Sequence, residues 1–293
     1  MGMSGNREIH FVIFGDASKG SVSKAIGMFR ELVSCRAEIF GEYRLPLDEC
    51  ALGGVDLCVD YAVVFGGDGS IISVARHISG SSLPVIGVNL GKLGFLAEFS
   101  VSELSDHIEE ILGGGASIEN RMQLRCRLFE GSLERFSSVA VNEIFITAGA
   151  PFNMIELQIS VDGEVLAGCV SDGLVISTPT GSTAYNLSAG GPIMSGALEA
   201  IVVTAICPHS LSFRPIVINA ASKVEIIGLR VNEGTTVSVD GQVSRRLSKG
   251  GVVEVSRAES DFLLVNNPVR TKWETLATKL GWAEKPKYND SGS

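Results

Sequence analysis

The chain has 293 residues, 45% of them apolar and 19% charged, a balance that suits a globular protein of one large domain or two ordinary ones. Its formal net charge of −9 argues against a general nucleic-acid or anionic-membrane binder, since either needs a broad basic surface. The apolar runs stop well short of the roughly 18 residues of a membrane span, and "MGMSGNREIHFVIFG" lacks the basic-then-apolar pattern of a secretion signal.

Six cysteines (Cys35, Cys50, Cys58, Cys126, Cys169, Cys207) are scattered without a CxxC pair or zinc spacing. A cytoplasmic protein with reduced, mostly buried thiols is expected.

In chain order, "IHFVIFG" (9–15) reads as a buried strand and "KAIGMFRELVSC" (24–35) as an amphipathic helix. A strand over 61–67, a helix over 70–79 and a strand over 83–91 follow, a rhythm of βαβ units that builds a parallel sheet. A helix over 100–115, stopped by glycines, closes this α/β, Rossmann-like first domain, set at residues 1–117.

Short strand-like segments separated by glycine, proline or Asp-Gly turns then run to about residue 258, among them a single run over 136–147. Val161-Asp162-Gly163-Glu164 and Val239-Asp240-Gly241-Gln242 are hairpin signals. The pattern predicts an all-β, sandwich-like second domain over 118–266. A helix over 268–282, packing Trp273, Leu276 and Leu280 at helical spacing, is expected to dock on one of the domains, with the tail 267–293 frayed at its end.

The familiar phosphate loops GxxxxGK[ST] and GxGxxG are absent, and the four histidines (His10, His77, His107, His209) have no plausible nucleophile beside them. Carboxylates must therefore lead any acid–base chemistry. In "YAVVFGGDGS" (61–70), Asp68 sits among glycines where a buried strand turns into a helix. An isolated GGDG serves equally well as a tight turn with a helix cap. Its functional reading is that glycines let phosphates approach backbone N–H groups at a helix start, with Asp68 as base for a hydroxyl or as a magnesium ligand beside ATP.

"SDGLVISTPTGSTAYNLSAGGPI" (171–193) concentrates hydroxyls and glycines in a strand-to-helix turn, which suits a nucleotide's ribose and base edge. Asn142-Glu143 interrupts an apolar run, a pattern that a bulge or an edge strand explains about as well as a polar site does.

GGDGS, "NLGKLGFL" (89–96), Asn142-Glu143, "STPTGSTAY" and "VDGQ" (239–242), in this order, resemble the bacterial ATP-NAD kinases over nearly the whole length. The resemblance implies transfer of the γ-phosphate of ATP to the 2′-hydroxyl of the adenosine ribose of NAD, with a divalent metal, magnesium above all. It implies a C-terminal segment returning to the first domain and a homodimer or homotetramer, with no nucleic-acid or membrane partner. Carried over by motif, Asp68 is the proton acceptor, and Gly69 positions phosphates or NAD. Asn142 and Glu143 meet ribose hydroxyls, and Phe95 packs near the adenosine. Thr183, Ala184, Tyr185, Asn186, Leu187 and Ser188 line the NAD site with Asp172 and Asn153, and Gln242 is a further contact.

The sequence departs at Ser73, where many members carry a basic residue, and at Val170, where some carry arginine. Lys92 and Arg76 are candidate substitutes. Two other readings share parts of the pattern: a lipid kinase of the diacylglycerol or sphingosine type, which has the GGDG turn, and a non-catalytic NAD(P)-sensing module.

Overall fold

A computed structural model describes residues 8–47, 59–91 and 94–282. The first domain is built from β1 (Ile9–Gly15), α1 (Gly20–Val33), β2 (Ala37–Arg44), β3 (Tyr61–Phe65), α2 (Asp68–His77), β4 (Val85–Val88), α3 (Val101–Leu112) and β5 (Ile118–Arg121). β1, β3 and β4 are almost fully buried apolar runs, as strands covered on both faces must be. The six-stranded sheet has the order β2-β1-β3-β4-β18-β5, where β18 is Phe262–Val265. Every pair is parallel except β18 with β5.

α1 and α3 bury Val22, Ile26, Phe29, Leu104 and Ile108 on one face, and α2 buries Ile71, Ile72 and Val74 on the other. Phe11, Phe14, Phe29 and Phe65 are essentially fully buried, each a stabilisation of about 2–3 kcal/mol. Val141, from the other domain, joins the α2-side cluster.

The second domain is a sandwich of two six-stranded antiparallel sheets. In chain order its strands are β6 (Leu124–Glu130), β7 (Leu133–Ala140), β8 (Glu143–Thr147), β9 (Ile155–Val161), β10 (Glu164–Ser171), β11 (Gly173–Ser177), β12 (Ala200–Ile206), β13 (Ile216–Asn219), β14 (Val224–Arg230), β15 (Thr236–Val239), β16 (Val243–Arg246) and β17 (Val252–Arg257). One sheet runs β10-β9-β14-β17-β6-β7 and the other β13-β12-β11-β8-β15-β16. Alternating side chains of both, such as Leu124, Ile144, Leu157, Ile176, Ile201 and Val237, close one core. Both Asp-Gly hairpins are present: Asp162 and Asp240 have φ near 52°, Gly163 86° and Gly241 66°. Positive φ at both central residues is what a two-residue turn matched to strand twist requires.

The α/β domain, the sandwich and the returning C-terminal segment are as the sequence implied. Several elements differ in detail. The run 136–147 is two strands in different sheets, β7 and β8, broken at Val141-Asn142. β5 and β18 belong to the first sheet although they fall beyond the boundary expected at 117 and before that expected at 266. Of the described cysteines, Cys126 and Cys169 are buried while Cys35 and Cys207 are exposed, and all four are free. Among the described residues no helix is long and apolar enough to cross a membrane.

The C-terminal helix, α5 (Lys272–Leu280), is shorter than 268–282. A capping box from Thr271 and Glu274 starts it, and Gly281 in the left-handed region ends it. It is tied to the first domain by Arg270, whose guanidinium donates to both oxygens of Glu103 at 2.7 and 2.8 Å, and by Asn267, whose backbone and amide N–H groups reach Glu98. Trp273, expected to pack, is instead 69% exposed at the rim of a cavity.

Candidate active site

In a sheet of order 2-1-3-4 the strand direction of growth reverses between β1 and β3, and ligands bind outside the carboxyl ends of the strands there. A cavity of about 760 Å³ lies at that point. Asp16 and Lys19 line it after β1, Gly66, Gly67, Gly69 and Ser70 after β3, and Asn89 to Gly91 after β4, with Ser73, Arg76 and Gln242 among the others. α2 starts at Asp68, two residues before its expected start, so the glycine turn is the helix N-terminus itself. Backbone N–H groups and the positive end of the helix dipole therefore face the cavity, an arrangement made for anions.

The Asp68 carboxylate turns away from that cavity toward the segment after β4. Oδ2 accepts from the N–H of Phe95 at 2.7 Å, and Oδ1 from those of Leu96 and Ala97 at 3.0 and 3.1 Å. The approach is so close that a Cβ on Gly94 would lie 1.8 Å from Oδ1. Only glycine fits there. A second cavity, of about 530 Å³, opens on this side, lined by Gly94, Phe95, Arg121, Thr180, Thr183, Met194, Trp273 and Leu276 among others. Asp68 thus links two cavities through its neighbours: Gly67 and Gly69 line one, and its carboxylate holds Phe95, which lines the other.

The sandwich repeats the device. Asp240, in the β15–β16 hairpin, accepts from the N–H groups of Val141, Asn142 and Glu143 at 2.9, 2.8 and 3.0 Å. That is why the chain breaks between β7 and β8 and why Asn142-Glu143 is held where the two domains meet. Burial, which outweighs the three N–H bonds and Arg76, pushes Asp240 up to about 6. Burial first, and Asp240 second, push Glu143 up to about 8 against a bond from the Tyr185 N–H. Glu143 is 5% exposed, and its Oε2 has no protein partner. A buried polar atom in this state calls for a partner that the protein's own groups do not supply.

Gln242 crosses the domains: its amide donates to the Gly69 carbonyl at 2.8 Å and its oxygen accepts from Arg76 at 3.4 Å.

The loop after β11 is only partly available to a ligand. Thr178 Oγ1 donates to Val141 O and accepts from Gly181 N–H, and Ser182 Oγ bonds Pro179 O and Met194 N–H. Asn186 is fully buried; its amide donates to Ser182 O and Pro192 O and its oxygen accepts from Thr204. These groups frame the turn. Thr183, Ala184 and Tyr185 remain half-buried and Ser188 exposed, with Tyr185 packed edge-on against Phe145 at 5.0 Å. Thr180, which no sequence signal singles out within the loop, has a buried hydroxyl without a partner on the second cavity.

Two family models cover the chain: the ATP-NAD kinase N-terminal domain over residues 11–116 and the ATP-NAD kinase C-terminal domain over 141–267. The NAD kinase of Rhodopirellula baltica is 36% identical over 94% of this chain and 88% of its own. That of Syntrophotalea carbinolica is 42% identical over 80% of this chain and 82% of its own.

The chain belongs to the NAD kinase family.

Its activity is that of an NAD kinase, a phosphotransferase with an alcohol acceptor, and not that of a lipid kinase or a non-catalytic sensor. Among solved structures, yeast NADH kinase complexed with NADH superposes with a TM-score of 0.81 at 27% identity over 97% of this chain and 91% of that one. An Archaeoglobus fulgidus NAD kinase in complex with ATP has a TM-score of 0.75 over 93% and 99% of the two chains; at 23% identity it speaks for the fold alone.

Within this NAD kinase fold the residues carried over by motif fall into two groups. Asp68, Gly69, Phe95, Asn142, Glu143, Thr183 to Tyr185 and Gln242 gather where the domains meet. Asp172 and Asn153 do not join them. Asp172 precedes β11 and its carbonyl accepts from Ala148 N–H, while the other end of β11, Ser177, pairs with Glu143. Five strand residues, about 16 Å, separate the two ends. Asn153 is exposed in the loop after β8, at the same far end. Val170, on β10, lies there too, whereas Ser73 lines the cavity at the glycine turn. Lys92 lies outside the described residues.

One cation near Asp68 is not foreshadowed by any motif. Lys279 of α5 has its ammonium 3.8 Å from Asp68 Oδ2 and 4.3 Å from the centre of the Phe95 ring.

Proposed function

We propose that ATP lies in the cavity above the glycine turn and NAD in the cavity beyond Asp68, with the 2′-hydroxyl of its adenosine ribose at the Asp68 carboxylate. The position of Asp68 between the glycine turn that lines one cavity and the loop at Phe95 that lines the other carries this reading. A carboxylate oxygen has two acceptor sites. Oδ1 spends both on Leu96 and Ala97, whereas Oδ2 takes one N–H and keeps a site for a hydroxyl.

In the reaction the 2′-oxygen bonds to the γ-phosphorus while the bond from that phosphorus to the bridging oxygen breaks. ADP leaves with the electron pair, and the hydroxyl proton passes to Asp68. Phosphoryl transfer asks chiefly for alignment and charge stabilisation. The N-terminus of α2, Lys19 and Arg76 supply these around ATP, and Gln242 fixes the turn by holding Gly69.

A divalent ion fits the same cavity. Asp16 is the carboxylate lining it, held below the usual range chiefly by the Ser18 hydroxyl, and Asn89 is an amide beside it. Magnesium uses one or two such groups together with substrate phosphates. When bound, the ion neutralises charge on the phosphates.

Phe95, Asn142, Glu143, Thr183, Ala184, Tyr185, Leu187 and Ser188 take the NAD side, the buried Glu143 Oε2 receiving ribose hydroxyls. Thr183→Ala or Tyr185→Ala is accordingly expected to weaken NAD binding at least several-fold while leaving ATP binding nearly unchanged. Calorimetry with each nucleotide tests it; loss of ATP affinity with NAD affinity intact would reverse the placement.

Asp172 and Asn153 can join a site only from a second copy of the chain, and we propose a homodimer or homotetramer. Phe152 (75% exposed) and Leu211 (91%) offer apolar surface on the sandwich domain for the contact. Light scattering is expected to give a multiple of 30.9 kDa, with specific activity falling on dilution. A fully active monomer would exclude shared sites. Free thiols at Cys126 and Cys169 suit a cytoplasmic setting.

A further inference from the structure

Lys279 sits in the last turn of α5 with its side chain 24% exposed, turned inward over Phe95 and toward Asp68. A lysine in a last turn ordinarily complements the helix dipole with its ammonium in water. This one has given up water and rotamer freedom, a real cost for a strongly hydrated ammonium. The helix does not need the contact, because the capping box, Arg270–Glu103 and Asn267–Glu98 already dock it. An ion pair still partly open to solvent, with its charges 3.8 Å apart, returns little by itself. The placement points to a third charged group.

The chemistry at Asp68 supplies one. Phosphorylation converts a neutral hydroxyl beside this carboxylate into a phosphate of nearly two negative charges. Two anions would then face each other, offset in part by the loop N–H groups. Lys19 and Arg76 line the ATP cavity on the other side of the turn. Ser73 brings no charge there, and Val170 lies at the far end of the sandwich. Arg121 and Arg270 line the acceptor cavity but are ion-paired with Glu119 and Glu103, and the cation that reaches Asp68 comes from α5.

We propose that the Lys279 ammonium contacts the phosphoryl group as it reaches the acceptor hydroxyl and then holds the 2′-phosphate of the product. This rests on the reading that the acceptor hydroxyl lies at Asp68. Lys279 is then a catalytic residue delivered by the returning helix, and α5 is part of the active site as well as of the fold. It also makes the site distinguish product from substrate, since NADP carries the group that the ammonium binds and NAD does not.

The test compares Lys279→Met with Lys279→Arg; methionine keeps length and helix propensity, so α5 is retained. Lys279→Met is expected to lower kcat about 10²-fold with KM for NAD little changed. By calorimetry it should weaken NADP binding about tenfold more than NAD binding, the scale of one charge-assisted bond. Lys279→Arg should recover most of both. Equal losses for NAD and NADP, or a lower Tm with the NADP-to-NAD ratio unchanged, would reduce Lys279 to docking the helix and overturn the proposal. So would unchanged kcat with tighter NAD binding, which would show an ammonium that merely fills the acceptor cavity. Asp68→Asn assayed in parallel separates the two readings. Near-normal turnover there removes Asp68 from the chemistry, while the NADP-to-NAD ratio of Lys279→Met still reports on the ammonium alone.

Discussion

Asp68→Asn is expected to lower turnover by about 10²–10⁴-fold, the scale of a lost general base, with NAD affinity changed no more than several-fold. The substitution keeps the side-chain shape. The asparagine oxygen can still accept from Leu96 and Ala97, the two N–H groups that Oδ1 holds. What is lost is Oδ2, with its bond from Phe95 and its free acceptor site for the hydroxyl. An amide NH2 there cannot receive a proton, and it also faces the Phe95 N–H. The local disturbance is therefore confined to Phe95, and it should appear as a modest rise in KM for NAD. The catalytic loss should appear in kcat. Steady-state kinetics separate them: a fall in kcat/KM carried entirely by KM would assign Asp68 to holding the loop, and near-normal kcat would end its role as proton acceptor.

Much of this arrangement is readable from the chain because buried parallel strands write continuous apolar runs. "IHFVIFG" and "YAVVFGG" could hardly be anything else, and the Asp-Gly pairs mark both hairpins. The strands that escape such a reading have weaker signatures. β2 lies at the sheet edge and alternates half-buried with exposed residues, including Glu38, Glu42 and Arg44. β5 is the polar "IENR". β18 is four residues long and joins β4 from across the whole second domain.

The site is legible in its residue types and not in its partners. Asp68 stands out as an acid among glycines, but its grip on the N–H groups of residues 95 to 97 depends on a loop nearly thirty residues away. Asp240 looks like a turn residue, and no local pattern reveals that its carboxylate sets the break between β7 and β8. The hydroxyl-rich loop misleads in part: sequence does not distinguish Thr178 and Ser182, which hold the turn together, from Thr183, which is open to a ligand. Lys279 sits in an ordinary amphipathic helix, and only tertiary docking makes it a neighbour of Asp68.

The second large effect is expected where Asp240 and Glu143 meet. Asp240→Ala should cost about 3–5 kcal/mol, because three backbone N–H groups at 141–143 lose their acceptor at about 1–3 kcal/mol for each left buried and unsatisfied. At about 2–4 °C per kcal/mol for a chain of this size class, Tm should fall by roughly 10 °C.

Glu143→Gln should act in the opposite direction on stability. The folded-state pKa of Glu143 is raised from 4.5 to about 8, so between those values the native state binds more protons than the unfolded chain. Stability is then lost as pH rises through that window, and glutamine, which does not ionise, escapes the loss. At about 1.4 kcal/mol for each pH unit crossed inside the window, the difference between the two proteins should grow by a few kcal/mol from about pH 5 to about pH 8.5, with Glu143→Gln the more stable at high pH. Above about pH 8, where Glu143 is ionised, the variant's NAD affinity should fall by about tenfold, as one charge-assisted contact to a ribose hydroxyl is lost.

Thermal melts across pH, with NAD calorimetry on the same preparations, check both halves. A wild-type Tm independent of pH relative to Glu143→Gln would remove the strained carboxylate, and unchanged NAD affinity would remove it from the ribose. The two together would state why this position carries an acid that the fold alone would be better without: its buried, unpartnered oxygen lowers stability in the free protein, and a bound ribose hydroxyl satisfies it.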